Sequence, residues 1–228
     1  MKSRWTDIVG YFGERAAIAE YDGCLPRAEA EKQAIGETYD WLRSHAEPVA
    51  GIFGELLLAF RWRDDPELEG CCARLGVNHG LVGIWGFDAI VVDGEGYRPA
   101  FPSEPSRVAA ILPVRERSTL IDLVACGINS QRHALRLGVG EVLGDSSIDD
   151  ARETGSPLMV FDNIINWLRG CCHGAVILDW RHAGDRLDGV RQIVTRENTA
   201  PLLYGATRDC WPPPTINVLG LTEMNHAA

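Results

Sequence analysis

Seven cysteines and six histidines are the side chains of this sequence best suited to hold a soft metal ion. Four of the cysteines stand in adjacent pairs, Cys71-Cys72 and Cys171-Cys172. Zinc favours a tetrahedron of thiolates and imidazoles, and structural sites separate their cysteines by a short spacer so that both sulfurs face one ion. Cys71 and Cys72 with His79, and Cys171 with His173, supply the right ligand types. They do not supply the spacing, because adjacent side chains diverge, on a strand most of all. A buried cysteine also packs as a small hydrophobe. The expectation is a core role for both pairs and no cofactor, with a zinc-stabilised structural module as an alternative.

Carboxylates at the end of a strand are the next group. Ala175-Val-Ile-Leu-Asp179 reads as a buried strand ending in an acid, followed by Arg181, Gly184, Asp185 and Asp188. This pattern resembles the signature of the toprim domains of primases and topoisomerases. The resemblance implies a Mg²⁺ held by oxygen ligands against phosphates, with Asp179, Asp185 and, from an earlier strand end, Glu95 as candidates. Arg181 stands where that motif has its second acid, so a Mg²⁺-dependent nucleic-acid enzyme is kept as the alternative reading.

Gly144-Asp-Ser-Ser147 followed by Asp179-Trp-Arg-His182 resembles the blocks of SGNH-type serine esterases, which implies Ser146 as nucleophile and His182 as base. Such a triad needs the serine within hydrogen-bond reach of an oriented imidazole. Too little chain separates the two blocks to build that family's sheet, and its glycine and asparagine blocks are missing. A Ser-Ser helix N-cap ahead of Ile148-Asp-Asp150 accounts for the same residues. Gly138, Gly140 and Gly144 have the wrong spacing for a dinucleotide loop, and no Gly-Lys-Ser/Thr triplet occurs. They read as turns.

Seven tryptophans suggest a different use of side chains, since large aromatics anchor protein interfaces. Trp62 lies between Arg61 and Arg63, and Trp211 precedes Pro212-Pro-Pro214. These two are the expected anchors of a partner-binding surface, with Asp64, Asp65 and Glu67 steering a basic partner. A formal net charge of -10 and the lack of Lys/Arg runs argue against direct binding of nucleic acid, which needs phosphate neutralisation.

The elements that must position these residues follow from patterning. Hydrophobic residues make up 46% of the chain, enough for a packed core. Helices are predicted over 5–21, from Pro26 to His45 and from Ala50 to Trp62. Gly23 should take the left-handed position that stops the first, and Pro48 should close the second. Ala30, Ala34, Thr38, Trp41 and His45 share one helical face. Strands are predicted at Leu81–Trp85 and Asp88–Val92 around a turn at Gly86. A hairpin is predicted from Val108–Val114 and Thr119–Ala125 around Arg115–Ser118, with Pro113 marking an edge or bulge. Helices are predicted at Met159–Arg169 and Leu187–Glu197, a strand at Gly174–Asp179 and a short one at Pro201–Tyr204. The tail from Trp211 is extended. The expected class is α+β, with residues 1–70 as a helical appendage and 71–228 as a core of antiparallel or mixed sheet with packed helices. The longest apolar stretch, Ile52 to Phe60, contains Gly54 and Glu55 and is too short to span a membrane. The opening residues lack a secretory apolar segment, and unpaired thiols suit a cytoplasm. A cytoplasmic location is expected.

The run from Glu14 to Glu31, ERAAIAEYDGCLPRAEAE, resembles segments of the form ERAAI-x-EYDGG-LPRAEAE in phage, prophage and plasmid proteins of alphaproteobacterial type. Some of those sit among replication and primase genes. Cys24 replaces the second glycine of that segment. Ile121–Ala125, Trp167–Cys171 and Val176–Asp179 resemble blocks in prophage proteins of similar length. The resemblance implies a phage or mobile-element accessory protein working by contact with a host or phage protein. That partner could belong to a basic nucleic-acid-binding complex, in DNA replication or in counter-defence such as CRISPR inhibition.

Overall fold

The computed structural model describes residues 4–45, 48–60, 66–78, 80, 85–94, 96–100, 104–128, 130 and 132–219, and the side chains among them other than 4–9, 36, 39–45, 48–50 and 66–68. The class is α+β, as expected: eight α-helices and ten strands among the described residues, the strands forming two sheets.

Helices α1 (Arg4–Tyr21) and α2 (Arg27–His45) pack on each other through small side chains. Ala19, Ala30, Ala34 and Thr38 are buried, and the Thr38 hydroxyl is satisfied by donating to the Ala34 carbonyl at 2.6 Å. Arg15 pairs with Glu37 across the seam. The predicted face of α2 is thus the buried one at Ala30, Ala34 and Thr38, while the side chains of Trp41 and His45 lie outside the described residues. The stop after α1 differs from expectation. Gly23 is not left-handed; Cys24 is, at φ 52°.

Helix α3 (Pro48–Phe60) starts at the proline expected to close α2, where a residue without an N–H costs no helical hydrogen bond. It is part of the core. Ile52, Leu56 and Ala59 pack with Ile90, Tyr97, Ile111 and Leu123 of the first sheet. Glu55 is nearly buried and takes a forked pair of hydrogen bonds from Arg136, 2.8 Å from Nε and 2.9 Å from Nη2. Helix α4 (Pro66–Leu75) follows; Arg169 donates to its Leu75 carbonyl at 2.7 Å.

The first sheet is a five-stranded closed barrel, in the order β1 (Gly86–Asp93), β2 (Gly96–Pro99), β5 (His133–Leu135), β4 (Thr119–Gly127), β3 (Arg107–Glu116). Gly86 opens β1 and is not a turn: a Cβ there would lie 2.5 Å from the Ala59 carbonyl, so glycine is what lets α3 approach. Of the predicted strand Leu81–Trp85, residues 81–84 lie outside the described residues. β3 and β4 form the predicted hairpin, with a tighter loop. Glu116 pairs with Thr119, leaving Arg117 and Ser118 at φ 46° and 70°, the signs a two-residue hairpin turn requires. Pro113 lies beyond the β1 ladder, which ends at Ile111. The register shifts after Val114, with Ile121 as the extra residue, so the predicted bulge is real. Away from the bulge, side chains alternate. Ala109, Ile111, Leu123 and Ala125 face α3, whereas Ala110, Leu112, Val124 and Cys126 face the second half of the molecule.

The second sheet runs β10 (Thr215–Leu219), β9 (Gln192–Arg196), β7 (Leu158–Phe161), β8 (Ala175–Ile177), β6 (Val142–Leu143), parallel except for β6. Helices α5 (Asp145–Thr154), α6 (Ile164–Arg169), α7 (Ala183–Leu187) and α8 (Ala200–Ala206) connect its strands. α6 contributes Ile164, Ile165 and Leu168 to the core shared with the barrel. Ile148, Leu187 and Leu203 of α5, α7 and α8 fill the other core. Three predictions fail here. Met159–Phe161 is strand and not helix, because a short apolar run buried on both faces has no diagnostic period. The predicted helix Leu187–Glu197 holds the strand β9 over Gln192–Arg196, driven by the β-branched run Ile193-Val-Thr195. The predicted strand Pro201–Tyr204 is α8, with Pro201 in its first turn. Among the described residues no helix is long and apolar enough to cross a membrane.

Candidate functional site

After β8 the chain turns sharply. Asp179 caps the short 3₁₀ turn Trp180–His182 by accepting from the Arg181 N–H at 2.9 Å, and its two oxygens also grip the Arg181 guanidinium. That pair of contacts with Arg181 holds the Asp179 carboxyl at about 2. Helix α7 continues directly from this turn and lies against α8. Gly184 permits the contact, since a Cβ there would sit 2.6 Å from the Ala206 carbonyl. Beyond α8, Thr207 donates its hydroxyl to the Leu203 carbonyl at 2.8 Å, and Cys210 donates its thiol to the Gly184 carbonyl at 3.5 Å. These bonds fix the turn that carries Trp211.

The result is an open cleft of about 950 Å³ between the 3₁₀ turn, α7, α8 and the Trp211 turn. Trp180, Pro201 and Leu202 give it apolar surface, and Trp211, 88% exposed, stands on it. Asp185, Asp188 and Asp209 give it charge. They act on a common point: burial first, then the fields of Asp188, Asp185 and Asp209, push the Cys210 thiol up. Arg181 also lines the cleft, with its guanidinium held by Asp179. An exposed indole beside clustered carboxylates is chemistry for gripping an apolar, basic segment of another protein.

Of the predicted anchors, Trp211 is here. Trp62, Asp64 and Asp65 lie outside the described residues, and of Glu67 only the backbone, in α4, is described. The strand-end acids are not gathered. Asp179 lines a separate groove beside β5, Asp185 lines the Trp211 cleft, and Glu95 lies outside the described residues. Ser146 and His182 share no hydrogen bond; the serine lines a pocket under the β3–β4 hairpin, and His182 is exposed at the end of the 3₁₀ turn. Ser146 and Ser147 do not cap α5 either. Gly144 occupies the cap position in the left-handed region at φ 82°, because a Cβ there would lie 2.0 Å from the Gly174 carbonyl. Gly138 and Gly140 are turns, as predicted.

Among the described residues no three His, Cys, Asp or Glu side chains are placed to hold a metal ion, and His79 lies outside them. Cys71 accepts from Arg74 at 2.9 Å, and Cys72 is buried. Cys171 and Cys172 follow α6 at φ 55° and 62°; Cys171 is exposed, and Cys172 packs on the core beside His173, which is exposed.

One acid escaped the sequence reading. Asp162 ends the central strand β7 and accepts from Asn166 Nδ2 at 2.7 Å and Asn198 Nδ2 at 3.1 Å. Burial raises its pKa, but the two amides prevail and it is lowered. It ties the loops after β7 and β9 together at the carboxyl ends of the parallel strands. The signal was the Asp-Asn pair closing Leu158–Phe161, hidden while that run was read as helix.

No protein-family model, curated protein or solved structure matches this chain.

Proposed function

We propose that this chain is a non-enzymatic accessory protein of a phage or mobile element, acting in the host cytoplasm by docking a basic segment of a host or phage protein against the Trp211 cleft. The observation that carries the reading is Trp211 itself: an indole 88% exposed on a turn made rigid by Thr207 and Cys210. Leaving so large an apolar surface in water is unfavourable unless something covers it. Asp185, Asp188 and Asp209 beside it define the charge of what does. The setting in a mobile element rests on the Glu14–Glu31 resemblance. Service to replication and interference with a host defence are both compatible with a basic, nucleic-acid-binding partner.

The test is a pull-down from host lysate followed by affinity measurement on the recovered protein. Trp211→Ala should weaken binding about 30-fold or more, as for a central aromatic anchor. Asp185→Lys with Asp209→Lys should slow association and remove its salt dependence. A partner that binds Trp211→Ala as tightly as the natural chain, or no reproducible partner at all, defeats the proposal.

A further inference from the structure

We infer that a second pocket, between the β3–β4 hairpin and the start of α5, binds a small ring-bearing anion of the class of a nucleoside 5′-monophosphate. It shares no lining residue with the Trp211 cleft and does not depend on the proposal made there. Its volume is about 310 Å³, at the small-molecule end of ligand sites.

Three features point to such a ligand. The first is an orphaned donor. Trp85 is fully buried and lines the pocket, yet its indole N–H has no acceptor among the described residues. Buried donors are satisfied in nearly all cases. The neighbouring Trp167 shows the contrast, since its indole donates to the Gly174 carbonyl at 3.0 Å. An acceptor on a bound molecule that reached the buried N–H would complete Trp85, and Pro113 with the narrow exposed edge of Trp167 supplies apolar wall for a ring.

The second feature is charge. Arg115 and Arg117 stand at the hairpin end of the pocket in a chain whose net charge is -10. Neither guanidinium pairs with a carboxylate among the described residues; that of Arg115 donates only to the Ser118 carbonyl. Two acids also line the pocket. Asp145 accepts from the Arg117 backbone N–H at 3.0 Å, and Asp149 is neutralised by Arg152 at 2.8 Å. The two arginines and two aspartates of the lining cancel, and Arg152 beside Asp149 leaves one positive charge over.

The third is the start of α5, a ten-residue helix whose cap residue, Gly144, provides no side-chain acceptor. The N–H groups of Ser147 and Ile148 are taken by the Gly144 carbonyl, which leaves those of Asp145 and Ser146, both lining residues, at the helix end that suits a phosphate. Phosphate at Arg115, Arg117 and the helix start, with the base against Pro113 and Trp167 and an acceptor turned toward the Trp85 N–H, uses all three features.

The experiment is calorimetric titration of the full chain with AMP, GMP, CMP and UMP, with inorganic phosphate, adenosine and a 5′-phosphorylated trinucleotide as separate arms. At least one monophosphate should bind one-to-one with a Kd below about 1 mM. Phosphate and adenosine alone should each bind at least about tenfold more weakly. The exposed substitutions Arg115→Gln and Arg117→Gln should together cost about tenfold or more. Trp85→Phe, which keeps one aromatic ring and removes the pyrrole ring with its N–H, should cost about threefold to tenfold. The assignment falls if no monophosphate binds in the millimolar range, if the double arginine variant or Trp85→Phe binds unchanged, or if phosphate alone binds as well as the nucleotide. Equal or tighter binding of the trinucleotide would overturn a free mononucleotide in favour of a strand end.

Discussion

Asp122 is completely buried on β4 and accepts four backbone hydrogen bonds, from the N–H groups of Leu123, Leu137, Val139 and Gly140. It thereby pins the Leu137–Gly140 turn against the barrel. Asp122→Ala removes the acceptor and leaves buried donors orphaned, so unfolding free energy in urea should fall by about 3 kcal/mol or more. Asp122→Asn should lose less, roughly 1–3 kcal/mol, because its amide keeps one accepting oxygen. A loss below about 1 kcal/mol for the alanine variant would show that the carboxylate does not hold the turn. Glycines at 138 and 140 marked this turn in the sequence. Asp122 read only as the polar member of an alternating strand, since its acceptors' partners lie up to 18 residues away. The same holds for Asp162, whose partner Asn198 belongs to a loop after another strand.

Helices α1 and α2 are the elements most fully written in the sequence, with Ala30, Ala34 and Thr38 at helical spacing and all three buried. Their junction carries a strain that the sequence hinted at. Cys24, next to the glycine expected to stop the helix, is exposed and left-handed. A side chain in that region costs on the order of 1 kcal/mol. Cys24→Gly should therefore raise the denaturation midpoint slightly, stabilising the chain by up to about 0.6 kcal/mol after the added freedom of the unfolded glycine is deducted. A lower midpoint would mean that the thiol is worth more than the strain. Elements of the second sheet were misread for a common reason. Leu158–Phe161 and Gln192–Arg196 are parallel strands of four and five residues, too short for a period to separate strand from helix, whereas Ala175–Ile177 is a strand as predicted.

At the scale of the molecule, one barrel and one largely parallel sheet share a core through α6, and acid should loosen the whole through its depressed carboxyls. Asp179 has a folded pKa of about 2 against an ordinary value of 3.8, and Asp162 and Glu37 are lowered in the same direction. A depressed carboxyl stabilises the fold above its unfolded pKa and loses that contribution as pH falls through the folded one. The carboxylate contribution should thus be constant above about pH 5 and decline between about pH 4 and pH 2, with Asp179→Asn showing a shallower decline. An unchanged slope in that variant would remove Asp179 from the account. Composition, the helical hairpin, the barrel's β3–β4 ribbon and the α+β class were determined by the sequence alone, because each rests on local periodicity, turn chemistry or bulk burial. Which acids, thiols and indoles meet was decided only in three dimensions. Strand order and crossover set those neighbours, and the interactions that choose them act between residues far apart along the chain. Trp211 was visible as a residue; the cleft beneath it, and the pocket around Trp85, exist only once the sheets have closed.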